Sequence, residues 1–255
     1  MSTEMLKVSG LQMRFGGLLA VDGIEFDVRR DEVFAIIGPN GAGKTTVFNC
    51  VGGFYKPTAG EVMLDGHSIA RKPSHVVARH GLVRTFQNIR LFKQLTVVEN
   101  LMVAQHRQVK AGLLHGLLAT PAYRRAEREA LGRAAEWLER MGLTAVANRE
   151  AGTLSYGHQR RLEIARCMIT KPRLLMLDEP AAGLNPQEKI ELQQLIDRLR
   201  REFNISVLLI EHDMSLVMGV SDRILVMEHG KPIMIGKPEE VRNDPRVIKA
   251  YLGED

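Results

Sequence analysis

The chain has 255 residues, 45% of them hydrophobic and 25% charged, ordinary globular proportions that can bury a core without disulfide staples. Its net charge of +5 suits an anionic ligand, a lipid headgroup surface or nucleic acid without choosing among them. No apolar run approaches the ~18 residues that span a bilayer, Met1–Gly10 lacks the apolar centre of a signal peptide, and Cys50 and Cys167 lie in apolar helical-looking sequence, as packing residues of a reducing cytosol do.

In chain order, Ile24, Phe26 and Val28 alternate with Glu25 and Asp27, which predicts a strand with one buried face. Val33 to Ile37 is continuously apolar, the pattern of a strand covered on both faces in a parallel sheet. It runs into Gly38-Pro39-Asn40-Gly41-Ala42-Gly43-Lys44-Thr45, which fits G-x-x-x-x-G-K-[ST], with a helix expected to start near Lys44. Each residue type has a reason. Glycines admit the backbone angles that turn successive N–H groups toward one point. The helix N-terminus adds partial positive charge. Lys44 brings a full charge for the β- and γ-phosphates, and Thr45 a hydroxyl for Mg²⁺. The motif alone indicates a P-loop nucleotide hydrolase or kinase. Val62 to Leu64 reads as a short strand closed by the turn Asp65-Gly66.

From about Gln87 to Ile169 the buried-strand pattern stops and the sequence becomes helical and rich in Arg, as in a helical lobe inserted into an α/β core. Tyr123 to Gly142 carries Arg124, Arg125, Arg128, Arg133 and Arg140 among Glu127, Glu129, Glu136 and Glu139. Mixed signs at helical spacing predict a solvated face rather than a nucleic-acid surface. Leu154-Ser155-Tyr156-Gly157-His158-Gln159 precedes a helix expected over Arg160–Ile169, with Leu162, Ala165, Met168 and Ile169 as its apolar stripe. Ser155 is a good N-cap type, and Gly157 lets a backbone N–H approach a ligand closely; in isolation a plain helix cap accounts for both.

Leu174 to Leu177 is an apolar strand ending in Asp178-Glu179, where strand ends line the ligand crevice of such sheets. One acid would serve a metal and the other proton abstraction. Next comes a helix with Leu192, Leu195, Ile196 and Leu199 at helical spacing. Asn185 can cap it, Pro186 fits its first position, and Glu188 can complete a capping box. Val207 to Ile210 is a further buried strand, followed by Glu211-His212-Asp213. Buried strands alternating with amphipathic helices give a doubly wound α/β core.

With these motifs assembled, the chain resembles the ATP-binding subunits of ABC transporters, whose signature is L-S-G-G-Q. Here Ser155 and Gly157 are kept while Tyr156 and His158 depart. The resemblance covers essentially the whole chain. It implies an α/β P-loop NTPase fold: a RecA-like parallel-sheet core with an N-terminal antiparallel β subdomain, residues 1–88 and 170–255, and an inserted helical signature subdomain at about 89–169. It implies ATP and Mg²⁺ as ligands, with Phe15 stacking on adenine and Val21 beside it. Gly38, Pro39, Asn40, Gly41, Ala42, Gly43, Lys44, Thr45 and Thr46 would bind the nucleotide. Glu179, His212 and Gln87 would be the catalytic set, and Thr45, Gln87 and Asp178 (through water) would hold the metal. Leu154, Ser155, Tyr156, Gly157 and His158 would face the ATP of the opposite subunit. Ala182, Gly183, Leu184 and Asn185 occupy the D-loop position, with Asn185 where the family more often has Asp.

Three features are similar to the branched-chain amino-acid importer group: Arg84 to Phe92, the insertion Gln105 to Tyr123, and Ala182 to Pro186 with the tail Ala250 to Glu254. The tail is shared with lipopolysaccharide-transport ATPases, so an exporter of that type is one alternative; a non-transport ABC ATPase is another. The importer reading implies a second ATPase subunit (identical or a paralogue) and two membrane permease subunits docking near Gln87 to Leu101, where Leu91, Phe92 and Leu95 are apolar. It further implies a periplasmic amino-acid-binding protein acting indirectly, no nucleic acid, and a peripheral position on the cytoplasmic face of the inner membrane.

Overall fold

Two sheets organise the chain in a computed structural model that describes residues 4–106 and 120–252. Most of the insertion similar to the importer group, 107–119, and the tail residues Gly253 and Glu254 lie outside the described residues. The chain divides into two compact units, Met1–Gln87 with Arg173–Asp255, and Asn88–Pro172.

In the first unit, β1 (Glu4–Phe15), β2 (Leu18–Arg29), β4 (Ala59–Leu64) and β5 (His67–Ser68) form an antiparallel sheet in the order β2-β1-β4-β5. Ile24, Phe26 and Val28 are buried and Glu25 exposed, as the alternation predicts. Asp65 and Gly66 both take positive φ, 48° and 76°, the turn geometry that suits the right-handed twist of a hairpin. The second sheet has the order β10-β9-β3-β8-β7-β6. Its strands are β3 (Val33–Ile37), β6 (Leu82–Arg84), β7 (Leu174–Asp178), β8 (Ser206–Ile210), β9 (Arg223–Glu228) and β10 (Lys231–Gly236). All its pairings are parallel except β9–β10. Every residue of β3, β7 and β8 is buried, which is why Val33 to Ile37, Leu174 to Leu177 and Val207 to Ile210 read as apolar runs.

Helices α1 (Lys44–Val51), α2 (Ser74–Arg79), α6 (Pro186–Phe203), α7 (Met214–Val220), α8 (Pro238–Asn243) and α9 (Pro245–Leu252) belong to this unit, and α3 (Val97–Ala104), α4 (Pro121–Arg140) and α5 (Tyr156–Met168) to the second. Asn185 and Glu188 form the expected reciprocal capping box of α6, and Leu192, Leu195, Ile196 and Leu199 are its buried stripe. In the second unit α4 buries only Ala130, Ala134, Trp137 and Leu138; its Arg and Glu residues face outward or lie part-exposed. Helix α5 begins at Tyr156, not at Arg160 as the sequence suggests. The Ser155 hydroxyl accepts the His158 N–H at 3.4 Å, so the cap falls at Ser155 and Tyr156 to Gln159 become the first helical turn.

Candidate active site

The loops that leave β3, β6, β7 and β8 all start from the C-terminal ends of parallel strands, so the sheet brings their residues to one edge. The loop after β3 ends at Gly43, which caps α1 at φ 94°. Two glycines there are dictated by space as well as by angle. A Cβ on Gly38 (φ 151°) would meet the Met227 carbonyl oxygen at 2.0 Å, and one on Gly43 the Ala20 oxygen at 2.7 Å. The turn between β9 and β10 supports the loop from behind. Gly230 donates its N–H to the Ala42 carbonyl at 3.1 Å and accepts from the Asp22 N–H at 2.9 Å.

An open cleft of about 390 Å³ runs along this loop, lined by Asn40 to Thr46 and by Glu179. The Lys44 ammonium is folded into the loop and donates to the carbonyls of Gly38 (2.7 Å) and Pro39 (3.0 Å). Burial pushes its pKa below the ordinary lysine value, and the Glu179 carboxylate partly offsets that. A desolvated ammonium beside a row of N–H groups is a strong site for phosphate oxygen. Leu18, Leu19, Ala20, His229 and Gly230 complete the lining; sequence reading missed all five. The first three follow a hairpin turn far along the sequence from the loop, and His229-Gly230 had only the look of a turn.

Phe15 does not line this cleft. It lies at the end of β1, 42% exposed, edge-on to Tyr55 with ring centroids 5.3 Å apart. Val21 has no exposed surface and belongs to the apolar core.

The two acids at the end of β7, Asp178 within it and Glu179 just after, occupy different surroundings. Asp178 is 4% exposed, and its Oδ2 accepts from the Arg84 guanidinium at 2.5 Å. Arg84 also donates to Asn49 Oδ1 at 2.6 Å and lies over the rings of Phe48, Phe54 and Phe86. Glu179 takes a left-handed conformation, φ 45°, which costs a non-glycine residue about 1–2 kcal/mol. Its N–H donates to the Ile210 carbonyl at 2.9 Å, and the bend turns its side chain out of the strand direction. Glu179 Oε2 accepts from Gln87 Nε2 at 2.9 Å and stands 3.8 Å from His212 Nδ1. The three residues expected to be catalytic are therefore one cluster. His212 is largely exposed and Gln87 exposed; of the three, Glu179 lines the cleft.

A hydroxyl, an amide oxygen and one carboxylate are hard oxygen donors that fit Mg²⁺, which keeps water and phosphate oxygens for its remaining positions. Thr45 is exposed in the cleft lining, and Asp178 keeps a second carboxylate oxygen beside the one held by Arg84. Among the described residues no group of three or more His, Cys, Asp and Glu forms a cage for a metal by itself.

In the second unit, Ser155 is exposed, Gly157 and His158 are half-buried, and Tyr156 is 40% exposed. Arg160, 1% exposed, donates to Glu163 Oε2 at 2.8 Å and to the Tyr156 hydroxyl at 3.0 Å. Glu163 Oε1 accepts the Arg90 N–H at 3.2 Å. Tyr156 is thus held by a buried ion pair. Leu154 is buried, and its carbonyl accepts from Gln159 at 2.9 Å. Of the residues expected in the D-loop position, Ala182 and Leu184 are half-buried while Gly183 and Asn185 are exposed.

Comparison with known proteins gives the same reading at three levels. The family model described as ABC transporter matches residues 21–182, and one described as branched-chain amino acid ATP-binding cassette transporter matches 231–255. The high-affinity branched-chain amino acid transport ATP-binding protein BraF of Pseudomonas aeruginosa is 63% identical, and LivG of Escherichia coli strain K12 60% identical, each over the full length of both chains. A probable branched-chain amino acid transport ATP-binding protein LivG of Archaeoglobus fulgidus is 36% identical over 98% of this chain and 96% of its own. Among solved structures, the ADP conformation of MJ1267, an ATP-binding cassette of an ABC transporter, superposes with a TM-score of 0.86 at 32% identity, covering 99% of this chain and all of that one.

Proposed function

The chain belongs to the ABC transporter family as one of its ATP-hydrolysing ATP-binding subunits, and from that premise we propose that it drives the uptake of branched-chain amino acids. The observation that carries this reading is the identity of 60–63%, end to end, with the high-affinity branched-chain amino acid transport ATP-binding proteins. The match of residues 231–255 to the corresponding family model supports it.

ATP would lie with its phosphates against Gly38 to Thr46, where backbone N–H groups, the start of α1 and Lys44 meet its charge. Burial disfavours the charged form of Lys44, and a phosphate oxygen beside the ammonium would favour it. The base toward the attacking water would be Glu179, aimed by its left-handed backbone and by Gln87. His212, beside that carboxylate, would contact the γ-phosphate and hold the water's partner oxygen in place. Mg²⁺, when bound, neutralises phosphate charge and fixes the geometry of displacement; Thr45, Gln87 and Asp178 through water would hold it. Arg84 keeps Asp178 from turning away. Phe15, with Tyr55 beside it, would offer a ring to adenine.

The reading also includes a second ATPase subunit, identical or paralogous, whose Leu154 to His158 turn would cover this nucleotide and whose Ala182 to Asn185 loop would lie beside it. Closure on ATP and loosening after hydrolysis would then form a two-state element biased by the γ-phosphate. Two permease subunits would receive the motion near Leu91, Phe92 and Leu95, and a periplasmic receptor would supply the substrate. No helix among the described residues is long and apolar enough to cross a membrane, which agrees with a peripheral place on the inner face. The test is purification of the chain from detergent-extracted membranes. Two polytopic proteins should come with it, and hydrolysis should rise when the receptor loaded with leucine, isoleucine or valine is added. Recovery of ribosomes or nucleic acid instead, or stimulation by unrelated solutes alone, would overturn the proposal.

A further inference from the structure

Glu211 has no exposed surface, yet none of the motifs gives it a task. It follows β8 directly, where a buried acid is costly unless its oxygens are fully used. They are. Oε1 accepts the Ala181 N–H at 2.7 Å, and Oε2 accepts the N–H groups of His212 at 3.0 Å and Asp213 at 3.2 Å. One carboxylate therefore joins two loops that leave neighbouring strands. The first carries Glu179 two residues before Ala181. The second carries His212, whose Nδ1 stands 3.9 Å from Glu211 Oε2 and 3.8 Å from Glu179 Oε2. The far end of the second loop is anchored as well. Asp213 accepts the Leu216 N–H at 3.0 Å to cap α7 and pairs with Lys189 of α6 at 2.5 Å. Without Glu211 the His212 N–H would lose its carboxylate acceptor, and the Glu179 loop would keep only the bond from the Glu179 N–H to the Ile210 carbonyl among the described backbone links.

We infer that Glu211 is a positioning residue for ATP hydrolysis: its buried carboxylate locks the loop of the base to the loop of the histidine, so that Glu179 and His212 keep one geometry. The inference rests on the proposed roles of those two residues. It does not involve the phosphate loop, so it separates turnover from nucleotide affinity.

The experiment compares ATP turnover of the wild type, Glu211→Gln, His212→Ala and the double variant, in the assembled transporter. Gln has the same shape but must aim an N–H₂ group at backbone N–H donors. The expected result is a kcat about 10–100-fold lower, the usual cost of removing the outer hydrogen bonds that orient a functional side chain, with KM for MgATP within about twofold of wild type. In the His212→Ala background the same change should have little further effect. Wild-type kcat in Glu211→Gln, or equal losses in both backgrounds, would overturn the inference. Unchanged turnover in His212→Ala and Glu179→Gln would instead overturn the active-site reading. Should Glu211→Gln not fold, amide exchange of the wild type decides: Ala181, His212 and Asp213 are expected to be protected together, and fast exchange at all three would contradict the lock.

Discussion

Glu179 combines a left-handed backbone, a hydrogen bond from Gln87 and a histidine within 4 Å, the arrangement on which its proposed role as general base rests. Glu179→Gln should keep ATP binding and lower turnover of the purified protein by roughly 10²–10⁴-fold, the worth of a general base; a steady-state assay with a fluorescent-nucleotide titration measures both. Gly38→Ala should abolish nucleotide binding and lower stability by about 1–3 kcal/mol in urea unfolding, because the added carbon would fall 2.0 Å from the Met227 oxygen. The two cysteines give a pH prediction. Burial pushes the Cys50 thiol up to about 11 and the Cys167 thiol up to about 12. At pH 8 about one in 10³ or fewer would be thiolate, so a maleimide should label the native protein slowly and the unfolded protein at both positions. At this scale the sequence was informative wherever a residue's task is local. The phosphate loop and the Asp178-Glu179 pair stand at the ends of the strands that present them, so the sequence could single them out, while His212 was singled out by the family resemblance. Glu211 and Arg84 could not, because their value lies in partners 30 and 94 positions away. The signal that marks Glu211 is an acid set directly after a fully buried strand.

Among the elements, the capping box of α6 starts at Asn185, the last residue of the stretch Ala182 to Asn185 that is proposed to lie beside the partner subunit's nucleotide. Asn185→Ala removes the acceptor of the Glu188 N–H and should cost about 1 kcal/mol in thermal or urea unfolding. Asn185→Asp keeps the acceptor and adds negative charge at a helix N-terminus, so it should hold or raise stability by a few tenths of a kcal/mol. Loss of stability in both variants would show that the cap geometry is not what holds this end. Strands β3, β7 and β8 and helix α6 were legible because burial on two faces and a 3.6-residue stripe leave different patterns. The start of α5 was not. Its first turn contains Tyr156, Gly157 and His158, which carry no apolar periodicity, and only the Ser155 cap fixes where the helix begins. The position of Phe15 relative to the cleft was equally out of reach, because it depends on how the β1–β2 hairpin lies along the phosphate loop.

For the whole molecule, the strand order matters most. β3 lies between β9 and β8, with β7 next and β6 at the edge, so loops widely separated in sequence meet at one side of the sheet. The alternation of strands and helices gave the α/β class, but nothing local encodes this order. It follows from crossover connections that only the folded sheet displays. That convergence underlies the proposed mechanism: one edge gathers the Gly38 to Thr45 loop, Glu179 and His212. The most direct test uses inside-out vesicles holding the assembled permease, with either wild-type or Glu179→Gln subunits, leucine-loaded receptor in the lumen and MgATP outside. Radiolabelled leucine should leave the lumen with the wild-type subunit and be retained with the variant, although both complexes assemble and bind ATP equally. Leucine transport at the wild-type rate by vesicles carrying only Glu179→Gln would contradict that role.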